Sequence, residues 1–409
     1  MIAHIGHPLD PLAERYVRLV LALGRHDPDF VDAYYGPPEW RQDALDQASA
    51  LQTILASASE LEAELQASAV DHDPLVRSRR TYLLRQAAAL VTRARILLGL
   101  RLSFDEESQA LYDAVAPHHP AAYFSRRLGE LSAELPGSGS LDRRLESFRK
   151  AFAIPLPRLT TVFDEALREC RERTMNHLTM PEGETLMVET VTARSWSGYN
   201  WYRGQYRSLV QVNTDLPIFI DRAIDLAAHE GYPGHHVYNA LLEKHLMRER
   251  GWVEFSVYAL FSPQSLIAEG SANYGIDVAF AEGERVQYEQ EHLFPLAGLD
   301  PASAAHYYRV HELTTSLSYA GNEAARQYLD GAIDASAASE WLVTYALMSP
   351  ERARQRVAFI DQYRSYVINY NLGRDLVAAS IERRAGGDRD RRWALFAELL
   401  SSPSLPSML

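Results

Sequence analysis

Apolar positions recur at helical spacing along most of the chain. Asp10-Pro11 reads as an N-cap followed by a proline in the first turn, opening "PLAERYVRLVLALGRH" with its apolar residues on one face. "DAYYGPPEW" (Asp32–Trp40) reads as a turn-rich break. Two long amphipathic patterns follow, "DALDQASALQTILASASELEAELQAS" and "PLVRSRRTYLLRQAAALVTRARILLGL". In the second, Leu83, Ala87, Leu90 and Leu97 fall on one stripe, which predicts a helix with a single buried face. A further helical stretch, Leu141 to His177, contains "IPLP", and proline is expected to kink or split it there.

The texture changes near Glu184. "ETLMVETVTARSW" and "SGYNWYRGQYRSLVQVNTDLP" are rich in Val, Thr, Tyr and Trp and partly alternate, which predicts strands, the one β region expected. Helical spacing resumes near Pro217 and runs to the end, with caps at Ser262-Pro263, Asp300-Pro301 and Ser349-Pro350. The expected architecture is mostly α, with a small sheet just before the helix that carries the chemistry. No repeat or low-complexity linker divides the chain. A boundary between an N-terminal helical region, 1–180, and a catalytic region, 181–409, is therefore soft, and one compact unit is compatible with it.

Composition narrows the classes. A net charge of −13 over 409 residues argues against a nucleic-acid binder, which needs a basic patch, and fits a peptide or small-molecule substrate. The single cysteine, Cys170, permits no internal disulfide. "MIAHIGHPLDPLAERY" has no basic, then apolar, leader pattern, and no run approaches the roughly 18 apolar residues of a membrane span. A cytoplasmic protein without membrane or nucleic-acid partners is expected; no pattern speaks to oligomeric state.

"AAHEGYPGHHVYN" (Ala227–Asn239) carries the chemistry. It opens like the HExxH zinc-hydrolase pattern, in which two histidines four apart bind the metal and the adjacent glutamate serves as base. Here Pro233 stands where the second histidine belongs. On a straight helix His229 and His236 would lie about 10.5 Å apart along the axis, far beyond what Zn–N bonds of roughly 2.0–2.1 Å can bridge. Pro233 breaks the hydrogen-bond ladder, however, and Gly231 and Gly234 admit unusual backbone angles. A looped-out detour can then return a histidine to His229. Several zinc peptidase families read HExGH at this point, which favours His235, with His236 beside it; both stand as candidate ligands. The third ligand is expected from a following helix, "SPQSLIAEGSANYGIDVAF", where Glu269 is a lone carboxylate among small and apolar residues. Asn273 and Asp277 are placed to orient ligands.

Other residues carry weaker signals. Tyr319 and Tyr370 sit among small neighbours and offer phenols for an oxyanion, although 22 tyrosines make core packing the ordinary explanation for any one of them. Arg364 offers a bidentate contact to a substrate carboxylate or an ordinary salt bridge. His245 and His311 read as plain helix residues. "YRSLVQVNTDLP" is placed to give a sheet edge for an extended substrate.

Taken together, "AAHEGYPGHH", "AEGSANYG" and "VDAYYGPPEW" resemble the bacterial family known as domain of unknown function 885, grouped with gluzincin-type metallopeptidases. The resemblance runs from about Asp10 to Leu400. It implies a mostly helical metallopeptidase-like fold around a deep cleft, with His229, His235 or His236, and Glu269 as zinc ligands and Glu230 as base. Ser271 departs from the tryptophan common in that family's EGWA element. The expected function is a zinc-dependent hydrolase that cleaves short peptides. The alternatives are hydrolysis of a non-peptide amide or ester, and a helical binding protein whose site has lapsed.

Overall fold

The structure, a computed structural model, describes residues 7–194, 196–281 and 283–409. The first six residues of the stretch read above for a leader lie outside it. Helices dominate, as the spacing of apolar residues predicts, and among the described residues none is long and apolar enough to cross a membrane. Leu83, Ala87 and Leu90 are all buried on the Pro74–Leu97 helix, each leucine contributing about 1.5–3 kcal/mol by leaving water. "IPLP" does split its helix, into Leu141–Lys150 and Leu156–Met175.

Five strands are described. β1 (Val31–Tyr34) pairs antiparallel with β5 (Val257–Ala259). β2 (Thr185–Val191), β3 (Gly198–Tyr202) and β4 (Arg207–Asn213) form a second sheet in the order β2-β4-β3. The second sheet lies where the alternation predicts it, just before the motif helix. Two details differ from the sequence reading. The "DAYYGPPEW" break contains β1, and its partner lies more than two hundred residues away, so no local pattern announces the pairing. β4, expected to offer a free edge, is the central strand, parallel to β2 and antiparallel to β3. Its regular alternation of buried and half-buried residues suits a strand with neighbours on both sides.

Contacts cross the soft boundary near residue 180. Besides the β1–β5 pairing, Arg79 on the Pro74–Leu97 helix makes two hydrogen bonds, 2.6 and 3.1 Å, to Glu254, with both side chains buried. One hydrophobic cluster likewise joins Val17, Leu61 and Leu90 to Leu266, Ile360 and Ile368.

The helix Pro263–Ala279 is buried on almost every side, which explains a sequence that is apolar or small throughout rather than on one stripe. It crosses Ile368–Ala385 at glycine against glycine. A Cβ on Gly270 would come within 2.5 Å of the Gly373 backbone, and one on Gly373 within 2.7 Å of the Leu266 carbonyl. This backbone-to-backbone approach brings Tyr366, in the short turn Arg364–Val367 that leads into the second helix, and Tyr370, in its first turn, toward Glu269.

Candidate metal centre

The motif is built on a helix that is broken and restarted. Asp221–Leu226 runs into a wider turn, Ala227–Gly231, where the Tyr232 N–H reaches five residues back to the Ala227 carbonyl at 3.0 Å. The chain then leaves the helix through an extended Tyr232 and a cis Tyr232–Pro233 peptide, and a new helix starts at His235. Gly234 makes the fold-back feasible. Its N–H bonds the Ala228 carbonyl at 2.9 Å, and a Cβ there would lie 2.0 Å from the His229 oxygen. No other residue fits.

The break brings the imidazoles together. His229 Nε2 and His235 Nε2 lie 3.1 Å apart; Glu269 Oε2 is 3.3 Å from the first and 3.8 Å from the second. The three side chains are 16%, 14% and 11% exposed, so the cluster is sunk yet reachable.

These atoms are mutually unsatisfied without a cation. Asn273 donates its Nδ2–H to the Tyr370 carbonyl at 3.1 Å, which turns its Oδ1 toward His229 Nδ1 at 3.0 Å. That oxygen can only accept, so a neutral His229 carries its proton on Nδ1 and presents Nε2 as a lone pair. The lone pair faces a carboxylate oxygen, Oε2, that is buried and has no hydrogen-bond partner. The other oxygen, Oε1, accepts from the Tyr366 hydroxyl at 2.9 Å. A single proton could bridge one edge of this triangle; a dication satisfies all three. Ligands about 2.0–2.1 Å from a tetrahedral ion stand roughly 3.3 Å from one another, close to the spacing observed. The residues fit a divalent metal with nitrogen and oxygen ligands.

Glu230, next to the first ligand, is buried. Burial pushes its carboxyl up to about 7; Glu269 and Asp32 add to the rise, and His229 and Arg222 oppose it. Gly198 on β3 lies close by, since a Cβ there would be 3.5 Å from Glu230 Oε1. Asn200 on the same strand donates to the Glu230 carbonyl at 2.5 Å.

The remaining sequence candidates divide. His236 does not join the cluster. It follows His235 by one residue on the new helix, so it points elsewhere, and it is fully buried between Ser208 and Glu184 at 2.9 Å each. Asn273 orients His229 as expected, whereas Asp277 pairs with Arg374 at 2.7 Å. Tyr319 is not brought to the cluster, for its hydroxyl is spent on Asp375 at 2.7 Å. Tyr370 is brought near, its ring 5.8 Å from that of Tyr366. Arg364 is bound to buried Glu107 at 2.6 Å. His245 is half-buried and pairs with Glu249 at 3.0 Å.

Two contributors were missed in the sequence. Tyr366 holds Glu269, but it stands one turn before Tyr370 in "SYVINY", and nothing local says which phenol faces the glutamate. Asp32 of β1 accepts from the Tyr199 hydroxyl of β3. Burial, with Glu269 adding, raises its carboxyl to about 6. Its approach depends on the unannounced β1–β5 pairing.

A second group has a similar inventory: Asp221, Asp225 and His311 also bring potential ligand atoms together. Here the protein supplies its own cation. Arg285 lies 2.8 Å from Asp225 and 2.9 Å from Glu289, and Tyr307 donates to Asp221.

No family model matches the chain, and no curated protein matches it. Among solved structures it is similar to a protein of Colwellia psychrerythraea assigned as a lipoprotein. That likeness has a TM-score of 0.54 at 15% identity and covers 96% of this chain and 73% of that one. An M32 carboxypeptidase from Deinococcus radiodurans R1 aligns with a TM-score of 0.46 at 13% identity, over 96% of this chain and 89% of that one. The first likeness shows a shared fold, and neither speaks to activity.

Proposed function

We propose that the chain is a zinc-dependent hydrolase of amide bonds, acting as a metallopeptidase on short peptides. One observation carries this reading: two imidazole nitrogens and an unpartnered carboxylate oxygen stand 3.1, 3.3 and 3.8 Å apart, with a buried glutamate adjoining them. When bound, zinc supplies a Lewis acid that polarises a carbonyl and renders water acidic enough to attack near neutral pH. The protein's own groups do the rest. Asn273 fixes the His229 tautomer and Tyr366 fixes the rotamer of Glu269, so the ligands are pre-oriented. Glu230 accepts the proton of the attacking water on its carboxylate and returns it to the leaving amine. Its burial excludes bulk water, which would compete for that proton.

The test is hydrolysis of a mixed peptide library by zinc-loaded protein, with chelator and with Glu230→Gln as controls. The expected result is cleavage that chelator abolishes. Glu230→Gln should lower kcat by about 10²–10⁴-fold while keeping its metal. Metal-replete protein that cleaves nothing, or a Glu230→Gln variant as active as the parent, contradicts the proposal.

A further inference from the structure

His236 stands outside the metal cluster, yet both nitrogens of its ring are engaged. Nδ1 meets Ser208 Oγ on β4 and Nε2 meets Glu184 Oε2, each at 2.9 Å. Glu184 immediately precedes β2, where Leu186 is the register partner of Ser208. Both grips on His236 therefore come from neighbouring strands of one sheet. Glu184 is an ionised acceptor: burial alone would raise its carboxyl, but hydrogen bonds from His236, Tyr232 and Arg171 hold it at about 2. A neutral His236 then carries its proton on Nε2 and accepts the Ser208 hydroxyl on Nδ1.

The same carboxylate oxygen takes a second donor from the other side of the detour. Tyr232, the residue before Pro233, donates its hydroxyl to Glu184 Oε2 at 2.7 Å, and its ring meets that of His236 edge to face at 5.1 Å. Arg171, on the Leu156–Met175 helix, closes the other oxygen, Oε1, at 2.7 Å. The Glu184 side chain is 5% exposed, so these bonds are shielded from water. Tyr232 and His236 bracket Pro233, Gly234 and His235. The bracket falls where the backbone holds itself least. Tyr232 is extended, and the new helix opens at Gly234, which has no side chain to cap it. An uncapped first turn frays, and His235 is its first residue.

We propose that Glu184 is a positioning residue of the metal centre: by holding Tyr232 and His236 on one oxygen it closes the detour and fixes where His235 presents Nε2 to His229 and Glu269. The second histidine of the motif thus acts through the first. The sheet before the motif is the frame against which the detour is set. A role in stability alone would leave the zinc affinity of the folded protein unchanged, so the two roles are separable. The inference rests on the metal-centre reading.

The test is the zinc dissociation constant of the full chain, from competition with a chelating dye at a temperature where the metal-free protein is folded. Visible absorption of the cobalt-substituted protein accompanies it. Glu184→Gln and His236→Leu should each raise the constant about tenfold to a hundredfold and alter the cobalt bands. Tyr232→Phe, which removes only a hydroxyl and so keeps the fold, should raise it about threefold to tenfold. His236→Gln, whose amide can still donate to Glu184, should stay nearer the parent than His236→Leu. Constants and cobalt bands in folded Glu184→Gln and Tyr232→Phe that match the parent overturn the proposal. So does His236→Gln that binds as weakly as His236→Leu, because the bond to Glu184 would then not be what matters. A parent that binds no zinc removes the metal-centre reading and this inference with it; a parent that binds zinc beside unaffected variants removes this inference alone.

Discussion

Two clusters in this molecule have almost the same inventory and opposite electrostatics. Asp221, Asp225 and His311 gather around Arg285, whose guanidinium faces Asp225 and Glu289 at 2.8 and 2.9 Å. His229, His235 and Glu269 have no arginine or lysine paired with them among the described residues: two imidazole nitrogens and a carboxylate oxygen face one another, and that oxygen has no hydrogen-bond partner there. Carboxylate oxygens and imidazole lone pairs brought together are left unsatisfied unless a proton or a cation joins them. The first cluster carries its cation in the chain, so it is structural. The second has no such cation in the chain among the described residues, and it is the one that adjoins a buried glutamate. Inventory alone does not separate a metal site from an ion-pair network; the presence of a built-in cation does.

Removing that cation should break the comparison most severely. Arg285→Met leaves buried carboxylates uncompensated and should cost about 3–5 kcal/mol of stability, read as a lower denaturant midpoint, with metal content unchanged. If metal content falls with it, the two clusters are not independent.

A smaller effect comes from pH. Glu289 is fully buried with one oxygen unpartnered, and burial raises its carboxyl from 4.5 to about 7 although Arg285 opposes the shift. The folded state therefore keeps a proton that the unfolded chain has released. The stability this contributes is complete below about 4.5 and is lost as pH rises through about 7. Glu289→Gln should remove up to about 3 kcal/mol of that decline, measured by urea unfolding at pH 5 and pH 8. Parallel profiles for parent and variant would refute it.

Smaller again is Tyr366→Phe, which strips the hydrogen bond from Glu269 Oε1 and leaves the packing intact. Zinc affinity should fall about tenfold to a hundredfold in competition with a chelating dye. The same change should leave the Arg285 cluster untouched and lower Tm of the metal-free protein only slightly, reflecting the about 1–3 kcal/mol cost of an acceptor left without its donor. A large loss of Tm would instead mark Tyr366 as a packing residue.

How much of this was legible in the sequence follows from the range of each interaction. Helices carry their signal in local spacing, and of the stripe read as Leu83, Ala87, Leu90 and Leu97 the first three are buried while Leu97, at the helix end, is half-buried. The broken helix was legible too, because proline and glycine act on their own backbone. Pro233 and Gly234 announce a detour that brings His235, but not His236, back to His229. Glu269 stood out because a lone carboxylate in an apolar run needs a partner. The sequence hid whatever depends on distant pairing. β1 meets β5 across the chain, and Asp32 joins Tyr199 only through that fold. Tyr366 was passed over for Tyr370 because both lie on similar local patterns. Arg364 read equally as a substrate contact or a salt bridge, and what decides is Glu107, more than two hundred and fifty residues earlier, which reaches it at 2.6 Å.

The central claim is that one cluster holds an external metal and its look-alike does not. Elemental analysis of gently purified, zinc-equilibrated protein tests it directly, using the parent, His235→Ala and His311→Gln. The account predicts one equivalent of zinc in the parent, loss in His235→Ala and retention in His311→Gln. Zinc that survives His235→Ala, zinc that departs with His311→Gln, or none in the parent would contradict it.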